Sequence, residues 1–222
     1  MTQVAPDLSA ASDGARKARK NNPEKTRESI LQAAIHEFVQ QGLSGARVDA
    51  IAERTATSKR MIYYYFGSKE QLYLEVLTKL YGDIRNTESR LDLDSLPPML
   101  AIRRLVEFTF DHHDSNVDFV RIVSIENIHY GEHVKQSEAI REMSRVVLTT
   151  LGATLTRGEQ EGVFRSGLNV QDIHLLISSF CFYRVSNRHT FGEIFQIDLQ
   201  DEQVKLRHKE MICESVLRFI QR

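Results

Sequence analysis

The stretch RTATSKRMIYYYFGSKEQL, residues 54–72, decides the fold. Two cations, Lys59 and Arg60, stand directly before a run of aromatic side chains. Positions four apart lie on the same face of a helix, so we expect Ile62 and Phe66 to face a core and the tyrosines to split around the helix. The stretch therefore predicts a short cationic helix with phenols on its exposed side.

A second short helix precedes this one. Apolar positions with helical spacing predict a helix from about Arg47 to Thr55 and another from about Ser58 to Tyr64, with a turn at Ala56-Thr57 between them. Two short helices joined by such a turn are typical of a helix-turn-helix motif. The second helix of that motif enters the DNA major groove, where its N-terminal residues reach base edges.

Helix signals cover most of the remaining chain, and strand alternation is nowhere convincing. The further predicted helices run from Pro23 to Gly42, from Ser68 to about 85, from Pro97 to about 113, from 116 to 128, from 135 to 162, from about 170 to 186 and from 202 to 220. Residues 187–200 are predicted to hold no helix. The chain is therefore predicted to be all-α, with about nine helices.

Three regions follow from this pattern. Residues 1–21 are polar and small, and we expect them to be a disordered basic arm. Residues 22–67 form the predicted helix-turn-helix domain, and residues 68–222 form a helical C-terminal region.

Charge is distributed unevenly along the chain. Residues 1–70 hold 11 Lys and Arg against 8 Asp and Glu, whereas the remainder holds 18 against 22. A basic head on an acidic body suggests a polyanion partner at the N-terminal end, although a charge run alone is also typical of a solvated tail.

Composition argues against a membrane protein and against a disulfide scaffold. No apolar run approaches the roughly 18 residues that a spanning helix needs, and the N-terminus has no apolar segment of the kind found in secretory signals. The two cysteines, Cys181 and Cys213, lie in apolar helical segments, which is typical of reduced thiols. We expect a cytoplasmic protein without a membrane partner.

Residues of about 24–72 resemble the DNA-binding domain of the TetR family of bacterial transcription regulators. The residues that carry the resemblance are Ile51-Ala52, Ser58, Tyr63-Tyr64-Tyr65-Phe66, Lys69 and Leu72, together with Phe38 and Gly42 of the first helix. One departure is the turn, where the family usually has Ala-Gly and this chain has Thr55-Ala56. Alanine in a left-handed turn costs about 1 kcal/mol, so we expect a slightly reshaped turn.

The resemblance implies a ligand-responsive, DNA-binding homodimer, in which residues 68–222 form a linking helix and a C-terminal ligand-binding and dimerisation domain. By matching position, Lys59, Arg60 and Tyr63 are candidates for reading bases of the double-stranded operator. The candidates for phosphate contact are Arg47, Ser58, Tyr64 and Lys69. Two alternative interpretations stay open. Tyr65 fills the core of the small domain, and Lys69 is a solvated charge.

The C-terminal domain is less informative. The resemblance implies a pocket for a small-molecule effector, for which Arg121, His129, His174, Tyr183 and Arg184 are candidates, and a dimer interface in the last two long helices, for which Phe180, Met211, Ile212 and Phe219 are candidates. The histidines at 129 and 133, with the glutamates at 126 and 132, have spacings that a metal site can use. A glycine at 131 interrupts that helix, so we expect no metal and no cofactor.

The sequence thus predicts a transcription regulator that a small molecule releases from a palindromic operator, and repression is the expected sign. Activation by the same fold, a helical enzyme and a purely structural helical dimer are the alternatives. No Gly-rich phosphate loop, nucleophile elbow or zinc-enzyme helix is present in the sequence, so we expect no enzyme activity.

Overall fold

A computed structural model describes residues 22–222. Within this range the chain folds into ten α-helices and no strand. The helices are α1 (Pro23–Gly45), α2 (Val48–Thr55), α3 (Lys59–Phe66), α4 (Lys69–Glu88), α5 (Pro98–Ser115), α6 (Val117–Ile128), α7 (Glu138–Gln160), α8 (Val170–Ser186), α9 (Arg188–Phe195) and α10 (Glu202–Ile220). The all-α prediction is confirmed, and the predicted basic arm lies outside the described residues.

The helix ends follow the sequence signals closely. Asn22 caps α1, with its side-chain oxygen accepting from the N–H groups of Glu24 and Lys25 at 3.1 and 3.3 Å. Gly42 has a φ of 67°, which breaks the regular helix at the predicted position, although a further turn continues to residue 45. Ser68 caps α4 by accepting from the N–H of Gln71 at 3.1 Å.

Helix α9 was not predicted, so the described residues hold ten α-helices where about nine were predicted. It has only eight residues, and no side chain caps its N-terminus. Gly192 lies within it, where a Cβ would approach the carbonyl oxygen of Ile197 to 2.9 Å. A glycine lowers the helix propensity of so short a segment and interrupts its apolar periodicity. The sequence therefore gives only a weak helix signal here.

Two large apolar clusters form the core. The first is built from α1 to α4 and includes Phe38, Ile62 and Tyr73, and it extends to Ile122 of α6 and Ile140 of α7. The second joins α5, α7, α8 and α10. The apolar packing therefore crosses the predicted boundary at residue 68.

Ion pairs reinforce the junction between α1 and α4. Arg27 donates to Glu75 at 2.6 Å and its guanidinium lies over the ring of Phe66 at 5.1 Å. Lys79 is paired with Glu28 at 3.3 Å. These pairs are half-exposed, so each contributes less than about 1 kcal/mol, but together they fix which faces of α1 and α4 meet.

The segment after α7 folds back over that helix. The ring of Phe164 is buried against Gly158, where any Cβ would overlap it. The N–H of Arg165 donates to the carbonyl of Ile220 at 3.0 Å, which joins this segment to the end of α10.

No helix of the described residues is long and apolar enough to cross a membrane. Cys181 and Cys213 are buried free thiols, as predicted. Burial raises the pKa of the Cys181 thiol to about 12, which keeps it protonated.

Candidate nucleic-acid interface

The turn between α2 and α3 is a tight left-handed connection. Ala56 adopts φ 49° and ψ 35°, and the N–H of Thr57 donates to the carbonyl of Ala52 at 3.1 Å. Ser58 caps α3, accepting from the N–H of Met61 at 3.2 Å. Alanine thus occupies the conformation that glycine normally supplies, and the motif keeps its shape.

The aromatic run divides between core and surface as its spacing predicts. Ile62 is 1% exposed and Phe66 is 6% exposed, and both belong to the N-terminal core. Tyr63 is 40% exposed and Tyr64 is 78% exposed. Tyr65 is half-buried and packs against the core, in agreement with its alternative interpretation.

The exposed face of α3 carries the three predicted base-reading residues. Lys59, Arg60 and Tyr63 are all exposed. The ammonium of Lys59 contacts the carboxylate of Asp49 in α2 at 3.2 Å. Within the described chain Arg60 has no ion-pair partner, so its guanidinium is available for an external acceptor.

The candidates for phosphate contact lie around this face. Lys69, in the first turn of α4, directs its ammonium to the carbonyl of Ala46 at 3.4 Å. That contact brings the start of α4 beside Arg47, which is exposed and stands at the N-cap position of α2 without a side-chain capping bond. Two cations from separate helices therefore flank one edge of the motif, and helix N-termini favour phosphate there.

Glu37 is a buried position, not anticipated from the sequence, that supports the motif. Its side chain is buried in α1, and its carboxylate accepts from the backbone N–H of Arg47 at 3.0 Å. This bond ties the start of α2 to α1. The available signal was a charged residue beside Phe38 on the otherwise apolar face of the first helix.

The C-terminal domain contains a cavity of about 180 Å³ between α4, α5, α6 and α8. Of the five residues predicted for an effector pocket, His174 lines it. Arg121 is exposed in a groove between α1, α6 and α8, and His129 is half-buried at the end of α6. The sequence missed Arg85 and His113, which do line the cavity.

Arg184, a predicted effector-pocket residue, is paired within the protein. The side chain is 7% exposed, and it donates to Asp114 at 2.6 Å and lies over the ring of Phe110 at 4.6 Å. A buried guanidinium does have its counter-charge, but the protein supplies it. Arg184 and Tyr183 line a separate groove beside α10, not the cavity.

The residues predicted for the dimer interface differ in their exposure. Phe180, Met211 and Phe219 are 39%, 48% and 50% exposed, so they leave apolar surface on α8 and α10. Ile212 is 2% exposed and packs in the chain's own core, so it leaves almost no surface for a partner.

The predicted helix break at residue 131 holds a hydrogen-bonded turn. Glu126 accepts from the backbone N–H groups of His133 and Val134 at 2.7 and 3.0 Å, and from the His133 ring at 3.2 Å. The residues described contain no group of three or more metal-ligating side chains. The ring of His133 also packs edge-on against Tyr73 of α4, with ring centres 5.0 Å apart.

Comparison with known proteins agrees with this geometry. Residues 30–76 match the model of the bacterial regulatory proteins of the tetR family, and residues 98–216 match the tetracyclin repressor-like C-terminal domain. The HTH-type transcriptional repressor NicS of Pseudomonas putida is 35% identical over 204 residues, which is 92% of this chain and 96% of that protein. The HTH-type transcriptional repressor SCO4008 of Streptomyces coelicolor is 28% identical over 74% of this chain and 80% of that protein.

Solved structures share the fold. The transcriptional regulator SCO4942 from Streptomyces coelicolor superposes with a TM-score of 0.66 at 22% identity, covering 88% of this chain and 98% of that one. FadR from Bacillus subtilis, solved in complex with stearoyl-CoA, gives 0.67 at 19% identity, covering 87% of this chain and 99% of that one. With both domains matched, this chain is a DNA-binding transcription regulator and belongs to the TetR family of bacterial regulatory proteins.

Proposed function

We propose that the protein is a repressor that binds a palindromic operator as a homodimer and is released from it by a small molecule. The observation that carries this proposal is the exposed face of α3, where Lys59, Arg60 and Tyr63 project beyond a helix that Ile62 and Phe66 anchor. Lysine and arginine donate to guanine O6 and N7, and phenols bond phosphates.

Repression as the sign is supported by two relatives that are named transcriptional repressors. A repressor of this kind needs only to occupy DNA that a polymerase must use. An activator has to contact the polymerase as well.

Homodimerisation is supported by the apolar surface on α8 and α10. Phe180 and Tyr183 on α8 face a groove that Met211 of α10 also lines, and these three side chains remain 39% to 55% exposed. A palindromic operator presents two half-sites about 34–36 Å apart, which requires two copies of α3 held at that spacing. We propose that α8 and α10 pair with their symmetry mates to hold it.

Release by an effector is supported by the position of the cavity against α4. Tyr81, Ile84 and Arg85 of α4 line the cavity, while Tyr73 near the start of the same helix packs on Phe38 of α1 with ring centres 5.2 Å apart. A ligand that shifts the C-terminal half of α4 therefore acts on the core that holds α2 and α3. The effect is limited to the ligand's difference in affinity between the two states.

The test is binding to the DNA upstream of the protein's own gene, measured by fluorescence anisotropy and footprinting. We expect a symmetric protected region and an affinity that falls steeply as salt rises, because phosphate contacts release counterions. An affinity that is independent of salt, or the absence of any protected region, would overturn the DNA-binding proposal.

A reporter gene behind the footprinted site distinguishes repression from activation. Expression should rise when the regulator gene is deleted. A fall would favour the activator alternative. Turnover of a compound placed in the cavity would instead favour a helical enzyme.

A further inference from the structure

Arg85 of α4 lies at the boundary between two cavities in the C-terminal domain. One is the cavity of about 180 Å³ already described, and the other, of about 240 Å³, lies against α7. Both are lined by Arg85, Glu88 and Leu105. A cation at this boundary faces whatever occupies either space.

The guanidinium of Arg85 uses only part of its donor set. Its Nη1 is paired with the carboxylate of Glu88, one turn further along α4, and both side chains are largely buried, at 16% and 12% exposed. Its Nε is buried without a hydrogen-bond partner among residues 22–222. A guanidinium is planar, and a carboxylate is the acceptor that best fits two of its N–H groups together.

The smaller cavity has the size and walls for one aromatic ring. Cavities of about 150 Å³ hold benzene, and this one measures about 180 Å³. Its walls include Tyr81, Phe119 and Phe182. The rings of Tyr81 and Phe119 already meet edge-on at 5.3 Å, the geometry that aromatic groups prefer.

The other polar groups of this cavity are uncharged. Burial lowers the pKa of His113 to about 4, and burial followed by the positive charge of Arg85 lowers the pKa of His174. Thr109 and Ser178 supply hydroxyl groups. Arg85 is therefore the cation that a ligand in this space meets, and Glu88 is the acid.

We propose that the smaller cavity binds a small organic acid with a single aromatic ring. Its carboxylate pairs with the guanidinium of Arg85, which lines the cavity, and its ring packs among Tyr81, Phe119 and Phe182. The inference rests on the proposed function, since it names the chemical class of the effector. It assigns the effector contact to Arg85, whereas the sequence analysis names Arg121 and Arg184 as candidates for the effector pocket.

The test compares benzoate with benzamide, which has the same ring and no charge, by isothermal titration calorimetry. We expect benzoate to bind at least ten-fold more tightly. Arg85→Gln should reduce benzoate to the affinity of benzamide and leave benzamide unchanged. Arg121→Gln removes the same charge from an exposed groove, so both affinities should stay as they are.

Glu88→Gln is a second variant, and we expect it to raise the affinity for benzoate where Arg85→Gln lowers it. It removes the anion that competes for Arg85, so benzoate should bind several-fold more tightly and benzamide should not respond. This variant keeps Arg85 and the ring-lined walls, which makes the test independent of whether Arg85→Gln folds. Thermal unfolding of each variant establishes that it is native.

Several results would overturn the assignment. These are equal affinities for benzamide and benzoate, no binding of either compound, or a loss of benzoate affinity in Arg121→Gln as large as that in Arg85→Gln. Tighter binding of decanoate than of benzoate would place a long acid across both cavities and refute the single ring. Operator affinity without ligand, measured in parallel, tests the proposed function separately: an operator bound tightly while benzoate fails refutes the acid alone.

Discussion

Lys59 and Arg60 are neighbours on α3, but only Lys59 has an ion-pair partner within the described chain before DNA binds. Lys59 must leave Asp49, at 3.2 Å, before it can reach a base. Such a half-exposed pair is worth about 0.2–1 kcal/mol, so its loss reduces the gain from a base contact. Arg60 needs no such rearrangement, and we expect it to contribute more to sequence preference.

Arg60→Ala should reduce operator affinity by about 1–3 kcal/mol and relax preference at one base position. Lys69→Ala, at the edge of the motif, should weaken binding to all sequences alike and reduce the salt slope by about one. Both effects can be measured by fluorescence anisotropy on the operator and on single-base variants of it, across a salt series. If Lys69→Ala changed base preference while Arg60→Ala did not, the division between base and phosphate contacts would be reversed.

Ala56 holds a left-handed conformation that disfavours a Cβ. Ala56→Gly should therefore raise the free energy of unfolding by about 1 kcal/mol, measured by urea denaturation. Ala50→Gly, within α2, is the matched control and should lower it by about 1 kcal/mol, because glycine is a poor helix former there. Equal losses in both variants would show that the turn is not strained.

His113 makes stability depend on pH. Burial lowers its pKa to about 4, whereas the unfolded chain titrates near about 6.5. Between these pH values the histidine is protonated in the unfolded state but neutral in the folded state. The free energy of unfolding therefore decreases as pH falls through this window. From pH 7 to pH 5 we expect this histidine to account for a loss of about 2 kcal/mol.

His113→Asn is the matching variant, because asparagine keeps an N–H for the Thr109 carbonyl, which the His113 ring contacts at 2.7 Å, and does not titrate. Its free energy of unfolding should fall less between pH 7 and pH 5 than that of the native protein. Equal falls in urea denaturation would assign the pH dependence to other groups.

At the scale of elements, sequence reasoning succeeds where a helix is long or well capped. Asn22, Ser58 and Ser68 each cap the helix that their position indicates, and Ile62 and Phe66 take the buried side. It fails for α9, which is too short to show a period. It also fails for the cavity, because periodicity tells which face of a helix is buried but not where four buried faces leave a space.

The turn between α6 and α7 depends on one carboxylate. Glu126→Ala would leave the buried N–H of His133 and the partly buried N–H of Val134 without their acceptor, and we expect a loss of about 3 kcal/mol in the free energy of unfolding. Glu132→Ala, in the same turn but exposed, should change it by less than about 0.5 kcal/mol. Urea denaturation of both variants checks this, and similar losses would show that the network is not stabilising.

Across the whole molecule, α4 joins two regions that one apolar core already connects. Ile122 and Ile140, from the C-terminal helices, pack in the same cluster as the helix-turn-helix core. Motion of α4 therefore shifts a packed unit and not a hinged one. The sequence predicted Ile62 and Phe66 as members of this core, but not its continuity, because the contacts join residues distant along the chain.

Phe180→Glu should weaken the dimer, because it places a charge on the exposed apolar surface of α8 that we propose to be buried between protomers. Sedimentation velocity over a concentration series should show dissociation at higher concentration than for the native chain, together with weaker operator binding.

Leu100→Glu on α5, where the side chain is 53% exposed, is the control and should leave the dimer unchanged. A native chain that remains monomeric while binding the operator tightly would refute the dimer and the spacing argument with it.

The packing of Phe164 on Gly158 has a consequence for genetic screens. Every substitution at 158 must displace a buried ring, so a saturation library scored for lost regulation would mark this codon as intolerant. Yet the position touches neither α3 nor the cavity around Arg85. Intolerant positions in such a library would therefore include residues needed for folding as well as residues needed for regulation. Only variants that accumulate as native protein identify the operator and effector contacts.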